Sequence, residues 1–466
     1  MNRYITTTLP YVNADPHIGF ALEIVQADAL ARFWELQGDD VFFNTGTDEH
    51  GQKIFEAAEK AGKSVTEYAD HYANEFKKLK DALGLSDDLH FIRTTDERHV
   101  RAAQEMWKRC EKDIEMREFE GLYCVGCEKF LTEKEIEDGK CHIHGTEPQL
   151  LKEKNYFFKL SNYKDKLLAY LSDSSVVIPD WRREEAIAFV KELEDVSVSR
   201  EKSRLSWGIP VPGDESQVMY VWFEALVNYI STLGWPDEKG DFGKYWLNGR
   251  TLQVAGKDQV RFQSIMWQAM LMSVGIKNTD QVFYHGFVNS GGQKMSKSLG
   301  NVISPYELVE KYGTDATRYL LLRHVHSTED SDVTWERLDE WYTAGLVNGV
   351  GNLVARVMKL AESYDVPPPG NADAQASLPP IEFDFNAYMD GIWRRIQQLD
   401  EYMQREEPFK RIKTDKAEGL EAIRFLKGGL VEIGHALNPV MPATGEIILK
   451  AVNENKKPEN LFPRLS

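Results

Sequence analysis

The chain has 466 residues, of which 42% are hydrophobic and 28% are charged, the profile of a soluble globular protein rather than a disordered or fibrous one. This length predicts roughly three domains with a large core. The net charge of −18 argues against indiscriminate nucleic-acid binding through phosphate neutralisation, so any RNA contact is expected to be local and shape-specific, and DNA is not expected as a partner.

The sequence carries no sign of export or membrane insertion. Its first residues, MNRYITTTLP, contain neither a basic n-region nor an apolar h-region, and no run of about 18 uncharged apolar residues follows. Three of the four cysteines lie in one short segment, which favours a metal site in a reducing compartment over a disulfide framework. We therefore expect a cytoplasmic protein that does not span a membrane.

The N-terminal region alternates strand and helix patterns. A β-branched run predicts a strand from Arg3 to Thr8, and Pro16 to Leu36 predicts a helix with Asp15 as its N-cap. A second strand is predicted from Val41 to Asn44. This alternation is typical of a parallel α/β sheet of the Rossmann type.

The middle of the chain predicts an insertion into that sheet. From about Glu118 to Leu150, short segments with cysteine, histidine and glycine replace the earlier pattern. The strand-like runs TLQVAG and QVFYHGFV then predict the second half of the sheet. After Thr334, long amphipathic patterns predict a helix bundle, interrupted by the proline-rich stretch VPPPGNADAQASLPP.

A first chemical signature is PHIGF, residues 16–20, where a predicted strand passes into a helix. The N-terminus of a helix offers unpaired backbone N–H groups and a positive dipole end, which suit a phosphate. His17 would donate to a phosphate oxygen there, and Gly19 would let a nucleotide ring approach the backbone. Taken alone, a histidine at a helix start is more often a surface or capping residue.

A second signature is KMSKS, residues 294–298, which follows the glycine pair Gly291 and Gly292. Lys294 and Lys297 on such a loop can close over a triphosphate and neutralise the charge that grows during attack at the α-phosphate. For an arbitrary pair of lysines, a solvated basic turn is the commoner explanation.

A third pattern has metal-ligand spacing. Cys124 and Cys127 are followed by Cys141 and His144, and two such close pairs suit a tetrahedral zinc ion with three sulfur ligands and one nitrogen ligand. His142 competes with His144, which we favour because its spacing from Cys141 mirrors the first pair. Four protein ligands leave no open position, so the predicted zinc is structural.

The two phosphate signatures, 277 residues apart, resemble those that flank the ATP site of class I aminoacyl-tRNA synthetases. Within that class the chain resembles the methionyl-tRNA synthetases with a single zinc knuckle, through YITTTLPYVNADPHIG, NTGTDEHG, YVWFEALVNY, AGKDQVRF and HGFVNSGGQKMSKSLGNVISP. The resemblance covers essentially the whole chain. It implies that methionine is activated with ATP and Mg²⁺ to methionyl-adenylate and then transferred to the 3′ end of tRNA(Met).

The same resemblance implies the domain plan: a Rossmann-like parallel sheet, split by a connective insertion that carries the zinc knuckle and followed by an α-helical anticodon-binding bundle. The expected boundaries are 1–116 for the first half of the catalytic domain, 117–205 for the insertion, 206–325 for the second half with KMSKS, and 326–466 for the bundle. Because the chain ends about where that bundle ends in the family, we expect a monomer.

Site residues follow from the resemblance position by position. Activation needs no protein nucleophile, so positioning and electrostatic stabilisation are expected to carry the catalysis. The residues implied as catalytic are His17, Lys294 and Lys297. Those implied for ATP binding are His17, Gly19, Gly256, Asp258, Lys294, Met295, Ser296, Lys297 and Ser298.

The methionine pocket is implied to combine a carboxylate for the ammonium group with aromatic and aliphatic walls for the thioether. Its residues are Leu9, Tyr11, Asp48, Trp222, Ala225, Leu226, Tyr229 and Gln263, with His50 and Gly51 as further candidates that line the site. Asn352 and Arg356, on one face of a helix that begins near Leu346, are implied to contact the anticodon. Core packing for the pocket aromatics, a helix N-cap for Asp258 and a solvated face for the anticodon pair are the structural alternatives.

Two positions depart from the family pattern. Phe20 stands where the family has the second histidine of the first signature, and a phenylalanine cannot donate to a phosphate. Gln263 stands where well-studied relatives have histidine near the end of the side-chain pocket. We expect fewer hydrogen-bond donors to the phosphates and an unchanged reaction class.

Three other functions remain open. A sister class I synthetase for leucine, isoleucine, valine or cysteine shares both signatures, although the branched-chain enzymes usually carry a large editing insertion. A non-catalytic tRNA-binding paralogue would keep the fold without forming an adenylate. An adenylate-forming ligase for small molecules would act without tRNA, which the helix bundle disfavours.

Overall fold

The computed structural model describes residues 1–127, 129–131, 135–143, 145–295, 300–368 and 380–465. The chain divides into two units. Unit 1 comprises Met1–Pro16, Asp39–Lys78 and Asp87–Tyr284, and unit 2 comprises His17–Gly38, Leu79–Ser86 and His285–Ser466. None of the helices in the described ranges combines the length and hydrophobicity of a membrane span.

The strands are β1 (Asn2–Thr7), β2 (Asp40–Thr47), β3 (His90–Arg93), β4 (Ile114–Cys124), β5 (Lys129–Phe130), β6 (Ile136–Glu137), β7 (Lys140–Cys141), β8 (Gln149–Phe158), β9 (Val177–Ile178), β10 (Val196–Ser197), β11 (Ser199–Glu201), β12 (Pro210–Val211), β13 (Asp214–Met219), β14 (Arg250–Gly256), β15 (Gln281–His285), β16 (Val288–Ser290), β17 (Gln293–Lys294) and β18 (Ser331–Asp332).

The α-helices are α1 (Ile18–Leu36), α2 (Gln52–Lys60), α3 (Val65–Ala82), α4 (Glu97–Cys110), α5 (Lys164–Leu171), α6 (Asp180–Lys191), α7 (Val221–Ala225), α8 (Asn228–Ser231), α9 (Trp267–Val274), α10 (Pro305–Tyr312), α11 (Thr314–Tyr319), α12 (Trp335–Tyr342), α13 (Asn352–Ser363), α14 (Phe385–Glu406), α15 (Pro408–Thr414), α16 (Lys416–Leu437) and α17 (Pro442–Glu454).

A six-stranded sheet with the order β3-β2-β1-β14-β15-β9 forms the core of unit 1. β1 runs parallel to β2 on one side and to β14 on the other, so that Ile5 lies opposite both Phe43 and Leu252. The apolar strand interiors are buried because a parallel sheet is covered on both faces. β1 and β14 are neighbours although the insertion separates them in sequence, which confirms the predicted split sheet.

The strand order reverses between β1 and β14. The chain continues from β1 to β2 on one side of this boundary and from β14 to β15 on the other. In open α/β sheets, ligands bind outside the carboxyl ends of the strands at such a reversal. Leu9 and Tyr11 follow β1 at this edge, and Asp258 follows β14, so the topology favours a ligand site next to them.

The insertion is built on a long antiparallel pair in unit 1. β4 and β8 pair from Ile114 opposite Phe158 to Tyr123 opposite Gln149, within a sheet of order β10-β8-β4-β5. β6 and β7 form a separate hairpin whose two turn residues, Asp138 and Gly139, have φ values of 50° and 77°. Such two-residue turns require positive φ, which glycine adopts without steric cost.

Unit 2 is mainly helical and contains a buried ion pair. Arg318 and Asp28 both have fully buried side chains, and Arg318 Nη2 lies 2.7 Å from Asp28 Oδ2. Arg318 Nε donates to the carbonyl oxygen of Val440, and the Ser86 N–H donates to Asp28 Oδ1. These hydrogen bonds compensate for the burial of the two charges and join α1 to α11 and to the C-terminal helices.

The predicted interruption of the C-terminal helices falls between α13 and α14. Residues 369–379 of the proline-rich stretch lie outside the described residues. On either side of it, α13 ends at Ser363 and α14 begins at Phe385.

Candidate active site

An acidic side chain lies at the carboxyl edge of the sheet in unit 1. Tyr11 and Asp48 form an isolated parallel bridge beyond the ends of β1 and β2. The Asp48 N–H donates to the Pro10 carbonyl oxygen at 3.0 Å, and the Val12 N–H donates to the Asp48 carbonyl oxygen at 3.2 Å. The backbone therefore fixes Asp48, whose side chain is buried at 2% exposure, beside the segment that begins at Leu9.

Aromatic rings form a wall beside this edge. The Trp222 ring contacts the Tyr11 ring edge-on, with centroids 5.8 Å apart, and stacks on the Phe262 ring with centroids 4.0 Å apart. Within the described residues, the buried indole N–H of Trp222 has no hydrogen-bond partner. Tyr11 and Trp222, predicted for the methionine pocket, are thus brought together, and Phe262 is an addition.

A polar pair joins α8 to the helical segment Phe262–Met266. Gln263 Nε2 donates to the Tyr229 hydroxyl oxygen at 2.7 Å, and both residues are buried. The Tyr229 ring also contacts the Trp267 ring edge-on. In the described part of the chain, Gln263 Oε1 has no partner, so this buried oxygen can still accept a hydrogen bond. Ala225 and Leu226, also predicted for the pocket, are buried and precede Tyr229 by four and three residues.

The predicted start of α1 was wrong. The helix begins at Ile18, with His17 as its N-cap in place of Asp15. His17 Nδ1 accepts from the Gly19 N–H at 3.0 Å, which satisfies a helix-terminal donor that a carboxylate or hydroxyl usually satisfies. His17 is exposed at the helix N-terminus, whereas Phe20 is buried at 8% exposure and presents no polar atom there.

Both signatures meet within unit 2. The Ile18 N–H donates to the carbonyl oxygen of Ile303 at 3.0 Å, which ties the start of α1 to the segment after KMSKS. On the near side of the loop, β16 and β17 form a hairpin whose turn residues Gly291 and Gly292 have φ values of 63° and 74°. The Ile303 N–H also donates to the sulfur of Met295 at 3.5 Å.

The loop itself is only partly described. Lys294 pairs through its backbone with Asn289 in the hairpin. The remaining predicted phosphate-binding residues of the loop, Ser296, Lys297 and Ser298, lie outside the described residues.

Replacing Gly19 with alanine is expected to slow the adenylate formation that the resemblance implies by roughly five- to tenfold, because it disturbs the His17 cap. A Cβ at position 19 would lie 2.9 Å from His17 Cε1 and 3.0 Å from Nδ1, so the imidazole must move. Single-turnover kinetics measure the effect. Gly391→Ala is the matched control, since Gly391 is a helical glycine with nothing within 4 Å of an added Cβ; equal rates for the two variants would contradict the expectation.

The end of β14 carries the remaining nucleotide candidates. Gly256 is its last residue and precedes the 3₁₀ turn Lys257–Gln259. Asp258 is exposed, and its carboxylate accepts from Gln259 Nε2 at 3.0 Å. Because Gly256 occupies the N-cap position, the alternative of Asp258 as that cap is wrong.

Three thiols converge in the insertion. The Sγ atoms of Cys124, Cys127 and Cys141 all lie within 4.8 Å of one another, and those of Cys127 and Cys141 are 3.5 Å apart. Thiolates bound at about 2.3 Å from a tetrahedral zinc ion lie roughly 3.8 Å apart, so this spacing fits a metal site. His142 Nδ1 instead lies 2.9 Å from the Glu135 carbonyl oxygen.

His144, the predicted fourth ligand, lies outside the described residues. Among the residues that are described, the three thiols form the cluster able to hold a metal ion, and His142 is not a member.

The anticodon candidates lie on α13 in unit 2. Asn352 is exposed, and Arg356 Nη1 donates to Asp400 Oδ1 at 2.6 Å with both side chains partly exposed. The predicted helix near Leu346 is present as a π-helical segment, Thr343–Gly351, that leads into α13.

Sequence reasoning missed a buried charged group beside the pocket. Glu224 is fully buried and accepts hydrogen bonds from His50 Nδ1 and His99 Nε2, each at 2.9 Å. It stands between Trp222 and Ala225 in YVWFEALVNY. A lone carboxylate in an apolar helical run was the signal that could have revealed it.

Comparisons with known proteins agree with this geometry. The family model described as tRNA synthetases class I (M) matches residues 3–141 and 133–358. The methionine–tRNA ligase of Brucella suis biovar 1 is 39% identical over 471 residues, covering 96% of this chain and 90% of the relative. That of Thermotoga maritima is 38% identical over 486 residues, covering 98% of this chain and 76% of the relative.

A solved structure matches over the whole chain. Mycobacterium tuberculosis methionyl-tRNA synthetase in complex with methionyl-adenylate has a TM-score of 0.90 and 34% identity, and the match covers 100% of this chain and 98% of that one. The family model thus reaches residue 358, and the relatives and the solved structure match nearly all of the sequence. The chain belongs to the methionine–tRNA ligases, the methionyl-tRNA synthetases of class I.

Proposed function

We propose that this chain activates L-methionine with ATP to methionyl-adenylate and transfers the methionyl group to the 3′ end of tRNA(Met). The observation that carries the proposal is the set of side chains that meet beside the strand reversal of unit 1. There, a buried carboxylate (Asp48) lies at the bridge with Tyr11, whose ring contacts the stacked pair of Trp222 and Phe262. A carboxylate binds an ammonium group through charge-assisted hydrogen bonds, and aromatic rings suit a polarizable thioether.

The first step forms a bond between a methionine carboxylate oxygen and the α-phosphorus of ATP. The bond to the β-phosphate oxygen breaks, and pyrophosphate leaves. A Mg²⁺ ion bound with ATP would supply positive charge to these phosphates. We assign His17, Lys294 and Lys297 to the phosphate charge that develops, because positioned donors stabilise such charge without a protein nucleophile. The tie between Ile18 and Ile303 supports this assignment, since it holds the segments of both signatures at one place in unit 2.

In the second step a ribose hydroxyl of the terminal adenosine attacks the methionyl carbonyl carbon, and AMP leaves.

The remaining site residues are assigned to the two substrates of the first step. Gly256 and Asp258 are proposed to contact the adenosine part of ATP, because they follow β14 at the strand reversal. Leu9, Ala225, Leu226, Tyr229 and Gln263 complete the proposed methionine pocket.

The thiol cluster is proposed to hold a structural zinc ion with His144 as fourth ligand. Purified protein is expected to contain about one zinc per chain, and Cys141→Ser is expected to lose that zinc and to unfold at a lower temperature. Metal analysis and thermal unfolding measure both effects. Cys110→Ser is the matched control, since Cys110 is a buried free cysteine on α4 outside the cluster. A wild-type protein that contains no zinc and unfolds at the same temperature as Cys141→Ser would refute the site.

Anticodon binding is proposed for α13 through Asn352 and Arg356. The helical unit also exposes aromatic rings that could stack on bases, Phe409 at 40% and Phe425 at 46% exposure. A monomeric state, a cytoplasmic location and the domain boundaries 1–116, 117–205, 206–325 and 326–466 complete the proposal.

Amino-acid-dependent exchange of labelled pyrophosphate into ATP tests the first step. Methionine is expected to support exchange, while leucine, isoleucine, valine and cysteine are not. Exchange with cysteine alone would replace this proposal with a sister synthetase, and no exchange with any amino acid would point to a non-catalytic paralogue.

A further inference from the structure

The fully buried carboxylate of Glu224 joins three separate elements of unit 1. Its Oε1 accepts from His50 Nδ1, and His50 belongs to the loop after β2. Its Oε2 accepts from His99 Nε2, and His99 belongs to α4. Glu224 itself lies on α7, so one side chain ties the loop, α4 and α7 together.

The hydrogen-bond roles at this junction are fixed by chemistry. An ionised carboxylate only accepts, so His50 Nδ1 and His99 Nε2 must both donate. Burial alone would raise the pKa of the Glu224 carboxyl, but the two histidines lower it below its usual value. On the far side of the His99 ring, Nδ1 lies 3.0 Å from the Ser231 hydroxyl at the end of α8. Each oxygen of the Glu224 carboxylate thus has one histidine donor, and the His99 ring is hydrogen-bonded through both of its nitrogens.

Two of the three joined elements, the loop after β2 and α7, carry part of the proposed pocket. Asp48 lies two residues before His50 on the loop. Trp222 and Ala225 flank Glu224 on α7, and Tyr229 lies on α8. The ammonium anchor and the walls on α7 thus come from elements that meet at the Glu224 carboxylate, and α8 is linked to that carboxylate through Ser231 and His99.

The loop is also held from its other side. Glu49, between Asp48 and His50, is fully buried and accepts from Arg93 Nε at 2.6 Å. The Trp207 indole N–H donates to the Glu49 carbonyl oxygen at 2.5 Å. Glu49 holds one side of the loop after β2. The hydrogen bond from His50 to Glu224 then sets the distance between this loop and α7.

We propose that Glu224 is a positioning residue for methionine, holding the Asp48 carboxylate at a fixed distance from the aromatic and aliphatic walls on α7 and α8. This inference rests on the proposed methionine activation. It assigns Glu224 no contact with the substrate. Its loss is expected to act on methionine binding, because a displacement of about 1 Å in a site can cost on the order of 100-fold.

The test compares Glu224→Gln with wild type in methionine-dependent pyrophosphate exchange. Gln keeps the shape of Glu but offers one acceptor oxygen, so one histidine loses its partner. We expect the KM for methionine to rise about 10- to 100-fold while the KM for ATP changes by less than about twofold. Asp113→Asn is the matched control, because Asp113 accepts from the Tyr163 and Ser273 hydroxyls in the same unit, and neither is a pocket residue.

A second pair of variants decides the matter if Glu224→Gln does not fold. His50→Ala removes the donor to Glu224, whereas His50→Asn places an amide N–H close to the position of Nδ1. We expect His50→Ala to raise the KM for methionine and His50→Asn to restore it to within about threefold of wild type.

The outcomes separate the two proposals. A wild type without methionine-dependent exchange would overturn the proposed function and this inference with it. An active wild type whose methionine KM is unchanged by Glu224→Gln, or by His50→Ala, would overturn the inference alone. Equal increases in the KM for methionine and for ATP would also overturn it, since they indicate a general loss of structure.

Discussion

Asp48→Asn is expected to lower kcat/KM for methionine by about 30- to 4000-fold, since truncating one partner of a buried charge pair costs about 2–5 kcal/mol. Asparagine has nearly the shape of aspartate, but it carries no charge, and its amide N–H groups repel an ammonium group. The side chain is 2% exposed, so water cannot replace the lost interaction. Pyrophosphate exchange measured as a function of methionine concentration gives the effect.

A matched aspartate lies at the other end of the strands of the same sheet, where their amino ends lie. Asp280 Oδ2 accepts from the Thr251 N–H at 2.8 Å, near the start of β14. Asp280→Asn is expected to change kcat/KM for methionine by less than about threefold. If Asp48→Asn loses no more than this control, Asp48 is not the ammonium anchor.

Lys297→Ala is expected to slow adenylate formation by about 100- to 1000-fold and to leave methionine affinity within about threefold of wild type. Lys297 is assigned to charge that develops on the phosphates, and such a residue acts on the transition state far more than on methionine binding. Single-turnover kinetics give the rate, and equilibrium dialysis with labelled methionine gives the affinity.

The control for this loop variant is a surface lysine. Lys78 has a side chain that is 62% exposed and pairs with Glu75. Its replacement by alanine is expected to leave the rate unchanged. Parallel losses of rate and methionine affinity in Lys297→Ala would refute the assigned role.

Local patterns predicted the central strands well. The β-branched run after Met1 became β1, and TLQVAG became β14, because a strand buried on both faces leaves a continuous apolar signal. The start of α1 was mispredicted for a local reason as well. Asp15 and Pro16 match the usual N-terminal preferences, but the imidazole of His17 accepts from the Gly19 N–H and caps the helix two residues later than predicted.

The pocket could be predicted only in part. Asp48 and Trp222 were predicted from motifs that resemble those of the family, and the structure places both at the carboxyl edge of the sheet. Phe262 and the bonds from Glu224 to His50 and His99 were missed. These contacts join residues far apart in sequence, and no local spacing rule reports which elements the fold brings together.

Aminoacylation is the most direct test of the central claim. Purified chain is incubated with ATP, Mg²⁺, labelled methionine and tRNA(Met), and acid-stable label on the tRNA is counted. We predict methionine-dependent charging that depends on ATP and is largely lost in Asp48→Asn. Formation of methionyl-adenylate without transfer to tRNA, or charging of the tRNA with a different amino acid, would contradict the account.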